Sequence, residues 1–276
     1  MEKPGEKLIS ESIFTFRYPG REPKTVSEFL KIRPDIQNLY IYDIYLSTGS
    51  LLYQCKGGLG ITTERYIIDM HKFISTSTCI KALESELSTH FTTSPSRSYY
   101  RLREKFNNKS SKLVSWSDHA QLYWLWAFSG FTHRYENVGY KGIYNPMRIN
   151  LESIQTASLL SREKGLLFRK ENLFTFSESI INDNVVLYAH IPSQYGQYGS
   201  RNIWTQDKFY DLVNVLKELD SIGYKVCISA LFQKRGQILI NYPELFNKFN
   251  YSVVLGFKDT ELGSNYKDSE IYLYNF

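Results

Sequence analysis

The chain has few cysteines and no long apolar run, and both shortages exclude classes of protein. Its three cysteines, Cys55, Cys79 and Cys227, lie far apart, with no Cys-x-x-Cys pair and no histidine at a metal-ligand spacing. This pattern argues against a disulfide framework and against a structural zinc site. No apolar stretch approaches the roughly 20 residues that cross a bilayer, and the first residues lack the core of a signal peptide. We therefore expect a soluble cytoplasmic protein with no metal and no membrane partner.

The composition is that of a globular protein with a mild basic bias. Hydrophobic residues make up 42% of the 276 positions, which is enough to build a core. The net charge of +5 permits binding to nucleic acid without requiring it. The length fits one sizeable α/β domain, with or without a smaller insert.

The first part of the chain predicts a unit that binds a nucleoside. A turn at Pro19-Gly20 precedes a helix that Thr25 would cap. An apolar strand then leads into the small-residue turn 47–50, Ser-Thr-Gly-Ser, where a ligand can approach the backbone. A second strand, predicted over 65–70, would place Asp69 about 20 residues later, where a ribose hydroxyl finds its acidic partner. An ordinary turn is the alternative.

The middle of the chain has a different character. Helical patterns with interleaved basic and aromatic residues run from about 75 to 165, including a Trp-rich helix over 116–126. Turn formers and aromatics over 130–148 predict a hairpin or a long loop. Its polar side chains are suited to phosphates and base edges, and a solvated basic surface is the alternative.

The α/β alternation resumes after residue 165. A buried strand is predicted over 184–188, and His190 and Pro192 follow it at the end where parallel sheets bind ligands. An amphipathic helix over 205–219, a strand from 224 and a closing strand pair complete the pattern. We predict an α/β fold, a Rossmann-like sheet formed by 1–75 and 165–276, with a helical insert over 76–164.

Several motifs, in order, resemble the Dam-type DNA adenine methyltransferases. The stretch 17–24, Arg-Tyr-Pro-Gly-Arg-Glu-Pro-Lys, is similar to their amino-terminal Tyr-Pro-Gly-Gly-Lys motif. The stretch 43–50, Asp-Ile-Tyr-Leu-Ser-Thr-Gly-Ser, resembles their Glu-Pro-Phe-x-Gly-x-Gly motif, and Asp69 stands where their ribose-binding acid stands. Segments 98–107 and 134–146 resemble their DNA-recognition insert, and 269–275 resembles their terminal motif. The resemblance implies a methyltransferase sheet with a helical insert that recognises double-stranded DNA.

The catalytic position departs from that family. Active members carry Asp-Pro-Pro-Tyr there, and this chain carries His190-Ile191-Pro192-Ser193, with Tyr195 two residues later. The resemblance implies that the family's carboxylate accepts hydrogen bonds from the amino group of a flipped adenine, on which the tyrosine stacks. A neutral histidine accepts through one ring nitrogen only, and serine has no aromatic face. We therefore expect little activity.

The cofactor motifs are altered as well. Ser47 replaces the first glycine, Asp43 is shorter than the usual Glu, and an insertion shifts the lysine of the first motif. The resemblance implies that S-adenosylmethionine, if it binds at all, contacts Tyr18, Lys24, Asp43, Ser47, Gly49 and Asp69. The insert keeps its basic and aromatic residues, and the candidate DNA contacts are Arg97, Arg101, Arg103, Arg134, Tyr135, Asn137, Tyr140 and Lys141.

Three functions therefore compete. The first is a DNA-binding methyltransferase homologue that is inactive alone and serves as a recognition or regulatory subunit beside an active methyltransferase, as in a restriction-modification system. The second is an active adenine methyltransferase in which His190 or Tyr195 replaces the usual groups. The third is an enzyme fold reused as an interaction module or as a specificity domain associated with a nuclease.

Overall fold

The computed structural model describes residues 15, 22–63, 65–91, 95–107, 113–128, 151–171, 184–191, 206–234, 237–238, 251–258 and 267–276. Eight strands form one sheet in this part of the chain. They are β1 (Tyr40–Asp43), β2 (Gly57–Thr62), β3 (Leu167–Lys170), β4 (Val185–Ile191), β5 (Lys225–Lys234), β6 (Gln237–Ile238), β7 (Tyr251–Lys258) and β8 (Lys267–Tyr274).

Eight α-helices accompany the sheet among the described residues. They are α1 (Glu22–Ile32), α2 (Ser50–Gln54), α3 (Arg65–Ile74), α4 (Cys79–Glu86), α5 (Pro95–Asn107), α6 (Trp116–Phe128), α7 (Leu151–Glu163) and α8 (Gln206–Ser221). A short 3₁₀ helix spans Pro34–Asn38, and a π-helical turn spans Leu87–Phe91 directly after α4.

The strand order confirms the predicted Rossmann-like α/β fold. The strands lie in the order β3-β2-β1-β4-β5-β8-β7, and the short β6 pairs with β5. From β3 to β5 every neighbouring pair is parallel, whereas β8 is antiparallel to both β5 and β7. The chain reverses its direction of travel across the sheet between β1 and β4, and such a switch point is where open α/β sheets bind ligands.

Two buried clusters cover the two faces of the sheet. On one face, Leu187 of β4 and Val226 of β5 pack with Leu212 and Leu216 of α8. On the other face, Val186 and Tyr188 of β4 share a larger cluster with α1, α2 and the helices that follow β2. Successive residues of β4 alternate between these clusters, and all seven are buried, as expected of a central parallel strand.

Strand β2 was missed, and the strand predicted over 65–70 is wrong, because that stretch begins helix α3. Glycine is depleted in strands, so the glycine-rich stretch 57–62 did not indicate one, yet β2 requires its glycines. A Cβ on Gly58 would lie 1.8 Å from the carbonyl oxygen of Ile41 on β1, and one on Gly60 would lie 2.7 Å from the Leu46 side chain. The glycines therefore let β2 approach its neighbours closely.

Helices α3 to α7 lie between β2 and β3 in sequence. Leu83, Phe91 and Trp124 of this helical segment belong to the same buried cluster as Ile41 and Val186 of the sheet. The predicted Trp-rich helix is confirmed as α6. The hairpin predicted over 130–148 lies outside the described residues, and the division into 1–75, 76–164 and 165–276 stays a prediction.

Thr25 is not a helix cap, because it lies inside α1 and its hydroxyl reaches the sheet instead. Among the described helices, none is long and apolar enough to cross a membrane. The same part of the chain has no cluster of three or more His, Cys, Asp or Glu side chains that could hold a metal ion.

Candidate functional site

The candidate site lies at the carboxyl ends of β1 and β4, at the switch point of the sheet. Asp43, the last residue of β1, is in register with Tyr188 of β4 and is fully buried. Strand β4 runs to Ile191, three residues further than predicted, so His190 lies inside the strand instead of after it. His190 is in register with Ser229 of β5, which gives a polar side chain a partner within a buried strand.

His190 is held by hydrogen bonds directed into the protein. Its Nδ1 lies 2.8 Å from the Ser229 hydroxyl oxygen, which lies 2.6 Å from the Tyr188 hydroxyl oxygen. The same Nδ1 lies 3.5 Å from Oε1 of Glu270 on the antiparallel strand β8. Only 4% of the His190 side chain and 1% of the Glu270 side chain are exposed. Burial of ionisable groups at this depth requires such partners.

The contacts continue from Glu270 to helix α1. Oε2 of Glu270 accepts a hydrogen bond of 2.6 Å from the Thr25 hydroxyl, whose oxygen also lies 2.8 Å from the Tyr272 hydroxyl. We call Thr25, Tyr188, His190, Ser229, Glu270 and Tyr272 the buried sheet network. Its six members are all buried, and it joins β4, β5 and β8 to α1. The network therefore fixes the position of α1 on the sheet.

The turn between β1 and α2 is packed by the chain's own side chains. Ser47 is fully buried, and its carbonyl oxygen lies 2.9 Å from Nε2 of His71 on α3. Gly49 has a left-handed backbone, with φ of 69°, and a Cβ there would lie 3.1 Å from the His71 ring and 3.2 Å from the Tyr53 ring. The Thr15 hydroxyl donates to the Thr48 carbonyl oxygen at 2.8 Å.

His71 is the side chain that ties this turn to the core. Because a carbonyl oxygen only accepts hydrogen bonds, Nε2 of His71 carries the ring proton and donates to the Ser47 carbonyl oxygen. Nδ1 accepts a hydrogen bond of 2.9 Å from the Tyr53 hydroxyl. The ring stacks on Phe168 of β3 at 4.8 Å. Burial lowers the pKa of His71 to about 4, although its hydrogen bond to Ser47 acts in the opposite direction. His71 is therefore neutral at physiological pH.

The structure does not bring all the predicted cofactor residues together in the expected way. Asp69 lies in helix α3 instead of at a strand end, and its carboxylate accepts a hydrogen bond of 3.3 Å from Nε of Arg65, one turn earlier. Lys24 lies in α1, and Tyr18 lies outside the described residues. Of the predicted set, Asp43, Ser47 and Gly49 lie on the strand-turn-helix unit.

The rest of the predicted catalytic position divides in two. Ile191 ends β4 and packs in the cluster beneath α8, on the face opposite His190. Pro192, Ser193 and Tyr195 lie outside the described residues.

The predicted DNA contacts in α5 differ in their exposure. Arg97 and Arg101 are exposed, and with Tyr100, Glu104 and Lys105 they form one face of the helix. Arg103 is only 5% exposed, and its guanidinium lies over the Tyr100 ring, so it does not present a charge at the surface. The remaining predicted contacts lie outside the described residues; they are Arg134, Tyr135, Asn137, Tyr140 and Lys141.

The exposed face of α5 is joined to its neighbours by a second set of polar contacts. Nη2 of Arg101 lies 2.8 Å from Nδ1 of His90, and Nε2 of His90 lies 3.2 Å from Oε2 of Glu86. The Gln121 amide donates to Glu86 at 2.9 Å and accepts from Lys105 at 2.9 Å, and Lys105 also pairs with Asp118 at 2.5 Å. We call Arg101, His90, Glu86, Gln121, Lys105 and Asp118 the helical polar chain.

Sequence reasoning missed most members of both sets. Ser229 and Glu270 were read only as parts of late strands, and His71 was not considered. One local signal was available, because Glu86 and His90 stand four residues apart at a spacing that places side chains together on a helix. The pairing of His190 with Glu270 spans 80 residues of sequence and depends on the order of β4, β5 and β8.

Comparison with known proteins adds little beyond this geometry. No protein-family model matches the chain, and no curated protein matches it. Among solved structures it is similar to HI0767 from Haemophilus influenzae, a candidate methylase, with 10% identity and a TM-score of 0.34 over 95% of this chain and 92% of that chain. It is also similar to SMU.472, a candidate methyltransferase complexed with SAH, with 11% identity and a TM-score of 0.33 over 95% of this chain and 54% of that chain. The fold assignment therefore rests on the strand order.

Proposed function

We propose that the chain is a methyltransferase-fold protein that performs no methyl transfer by itself and binds double-stranded DNA beside an active methyltransferase subunit. The observation that supports the loss of catalytic activity is the burial of His190. Its Nδ1 contacts Ser229 and lies near Glu270, and its side chain is only 4% exposed. A catalytic acceptor has to reach its substrate, and a ring buried to this extent presents almost no surface to one.

The methyltransferase part of the proposal is an argument from fold. A parallel sheet in which a reversed strand, here β8, lies between β5 and β7 is typical of S-adenosylmethionine-dependent methyltransferases. The order of the motifs in the sequence, from the turn after β1 to the terminal strand, is the second support for this part of the proposal. A fold alone does not assign a reaction, so the site has to decide whether chemistry occurs.

The turn after β1 does not fit the cofactor in the way the resemblance implies. Asp43 and Ser47 are both fully buried, and the Ser47 carbonyl oxygen already accepts from His71. The space beside Gly49 is bounded by His71 and Tyr53. Polar atoms that contact a ligand have to reach the pocket surface, and the Ser47 carbonyl oxygen faces His71 instead. We therefore expect weak binding of S-adenosylmethionine or none.

The DNA part of the proposal is supported by the exposed face of α5. Arg97 and Arg101 provide two exposed cations on one side of the helix, and Tyr100, 47% exposed, provides an aromatic surface beside them. Lys105 lies on the same side and is paired with Asp118. Cations of this kind neutralise backbone phosphates and release counterions. Glu104 is the one acidic residue on this face.

Two titrations of the purified protein test the proposal. Isothermal titration with S-adenosylmethionine is expected to show no binding in the micromolar range. Fluorescence anisotropy with a labelled duplex is expected to show binding that weakens as salt is raised. Arg97→Gln should weaken DNA binding and reduce the slope of log K against log salt by about 0.9. Micromolar binding of the cofactor, or DNA binding that is absent or insensitive to salt, would contradict the proposal.

A further inference from the structure

We infer that His90 controls whether Arg101 is available to a nucleic-acid phosphate, so that protonation of His90 strengthens DNA binding by α5. The inference rests on the proposed function, because it concerns regulation of the same basic helix. It begins with the contact of 2.8 Å between Nη2 of Arg101 and Nδ1 of His90. A guanidinium only donates, so Nδ1 has to be the acceptor and carries no proton.

The other ring nitrogen completes the assignment. With Nδ1 unprotonated, the neutral ring carries its proton on Nε2, which lies 3.2 Å from the Glu86 carboxylate and donates to it. Glu86 also accepts from Ser117 at 2.5 Å and from Gln121 at 2.9 Å. His90 is thus held between an acceptor on α4 and a donor on α5, in the one neutral tautomer that satisfies both.

Protonation of Nδ1 removes the acceptor that Arg101 uses. It also places an imidazolium next to a guanidinium, and like charges at hydrogen-bond distance repel. The imidazolium keeps its bond to Glu86, which then becomes an ion pair. Arg101 is the partner that moves, since it is already exposed and has a long flexible stem, and a phosphate in solution can then accept from it.

The charged groups around His90 do not oppose this sequence of events. Glu86 faces it from α4, and Arg101 faces it from α5. The next charges along the helical polar chain, Lys105 and Asp118, are paired with each other at 2.5 Å. The charges of Glu86, Arg101, Lys105 and Asp118 in the helical polar chain therefore sum to zero when His90 is neutral. Protonation of His90 adds one positive charge to the face that would meet DNA.

Three variants separate this mechanism from a general effect of pH. His90→Gln keeps an acceptor for Arg101 and a donor for Glu86 but cannot titrate. Arg101→Gln removes the cation that is released. Arg97→Gln is the matched control, since Arg97 lies one turn earlier on the same exposed face and is not one of the His90 contacts described above.

The experiment measures the affinity for a labelled duplex, and its salt slope, at one pH where the ring ¹⁵N shifts show a neutral His90 and at a lower pH where they show an imidazolium. For the wild-type protein we expect affinity to rise by about 3- to 10-fold at the lower pH, with a salt slope steeper by about 0.9, as for one added phosphate contact. His90→Gln and Arg101→Gln should lose this increase, whereas Arg97→Gln should bind less tightly at both pH values and keep it. Circular dichroism confirms that each variant is folded.

Ring ¹⁵N shifts of His90 and the side-chain signals of Arg101 supply a readout that does not need DNA. Where the ring shifts report a neutral His90 protonated at Nε2, the Arg101 signals should report a restrained guanidinium, and where they report an imidazolium, a guanidinium that rotates freely. An increase in affinity that His90→Gln retains, or an Arg101 signal that ignores protonation, overturns the inference. Release of Arg101 in a protein that binds no DNA at either pH overturns the proposed function alone.

Discussion

Two histidine–glutamate pairs stand in very different surroundings, and the difference teaches what each one does. His190 and Glu270 lie 3.5 Å apart within the sheet, with side chains 4% and 1% exposed. His90 and Glu86 lie 3.2 Å apart among the helices, with side chains 19% and 12% exposed. The first pair is buried between strands of the sheet and α1. The second pair borders an exposed arginine and can exchange its contact for a ligand.

The same contrast separates the two halves of the resemblance to the methyltransferases. At the position that the resemblance assigns to catalysis, His190 belongs to the buried sheet network, whose members are all buried. The helical segment that carries recognition in that family presents Arg97, Tyr100 and Arg101 at the surface. Burial, more than residue type, thus separates the part that serves the fold from the part that is free to bind. Each of the following experiments acts on one side of this contrast.

The largest effect is expected from Glu270→Ala. The change removes the acceptor of Thr25 and leaves His190 and Thr25 buried beside a cavity, at a cost of about 3–5 kcal/mol in the free energy of unfolding. Glu28→Ala is the matched surface control, because Glu28 pairs with Lys31 at the surface and its side chain is 56% exposed. That variant should change stability by less than about 0.5 kcal/mol in urea unfolding. Equal effects of the two changes would refute the buried network.

A slightly smaller loss of stability is expected when acid protonates His71. Its pKa is lowered to about 4 in the folded protein, so the unfolded chain binds the proton first as pH falls. The contribution of His71 is complete above the unfolded pKa of about 6.5 and is lost as pH falls to about 4, by about 3 kcal/mol in total. Urea unfolding of the wild-type protein and of His71→Gln at several pH values isolates this term. An unchanged pH dependence in the variant would show that His71 is not the group responsible.

Gly49→Ala tests the packing of the turn after β1. Gly49 and Gly165 have similar left-handed backbones, with φ of 69° and 60°, but only a Cβ on Gly49 would meet other side chains, those of His71, Tyr53 and Leu46. Alanine in this conformation costs about 1–2 kcal/mol at either position. Gly49→Ala should cost about 1 kcal/mol more, because His71 and Tyr53 have to shift. Thermal unfolding of the two variants measures the difference, and identical losses would mean that the turn is loosely packed.

The smallest effect is expected from Asp118→Asn in the helical polar chain. Partial burial raises the pKa of Asp118, but hydrogen bonds from Lys105, Ser115 and Val114 outweigh it and lower the pKa to about 2. Its stabilisation is therefore present above the ordinary pKa of about 4 and is lost as pH falls towards 2. The variant should lose about 1 kcal/mol at pH 7 and should titrate less steeply in acid. Destabilisation as large as that of Glu270→Ala would erase the contrast between the two regions.

Local patterns in the sequence predicted much of the fold. The strand after residue 38, the Trp-rich helix, the amphipathic helix α8 and the closing pair β7–β8 each follow from periodicity and turn residues. Strand β2 was missed because its glycines are required by close contacts with Ile41 and Leu46 on neighbouring segments. Contacts between segments cannot be predicted from the local sequence pattern. The interpretation of 65–70 as a strand failed because that apolar run is also one face of helix α3.

The candidate site was harder to predict than the fold. His190 was singled out from its position after a buried strand, but its partners Ser229 and Glu270 come from strands that follow it in sequence. Which strands are neighbours is set by the sheet order, and this decides whether a histidine faces a ligand or a buried glutamate. The burial of Arg103, against the exposure of Arg97 and Arg101, likewise depends on how α5 packs.

Single-turnover transfer of a labelled methyl group from S-adenosylmethionine to duplex DNA tests the central claim, that His190 serves the fold and not the chemistry. The account predicts no transfer above background by the purified wild-type protein, and none by His190→Gln. Transfer by the wild-type protein that is lost in a folded His190→Gln variant would contradict it, and would make His190 a catalytic residue.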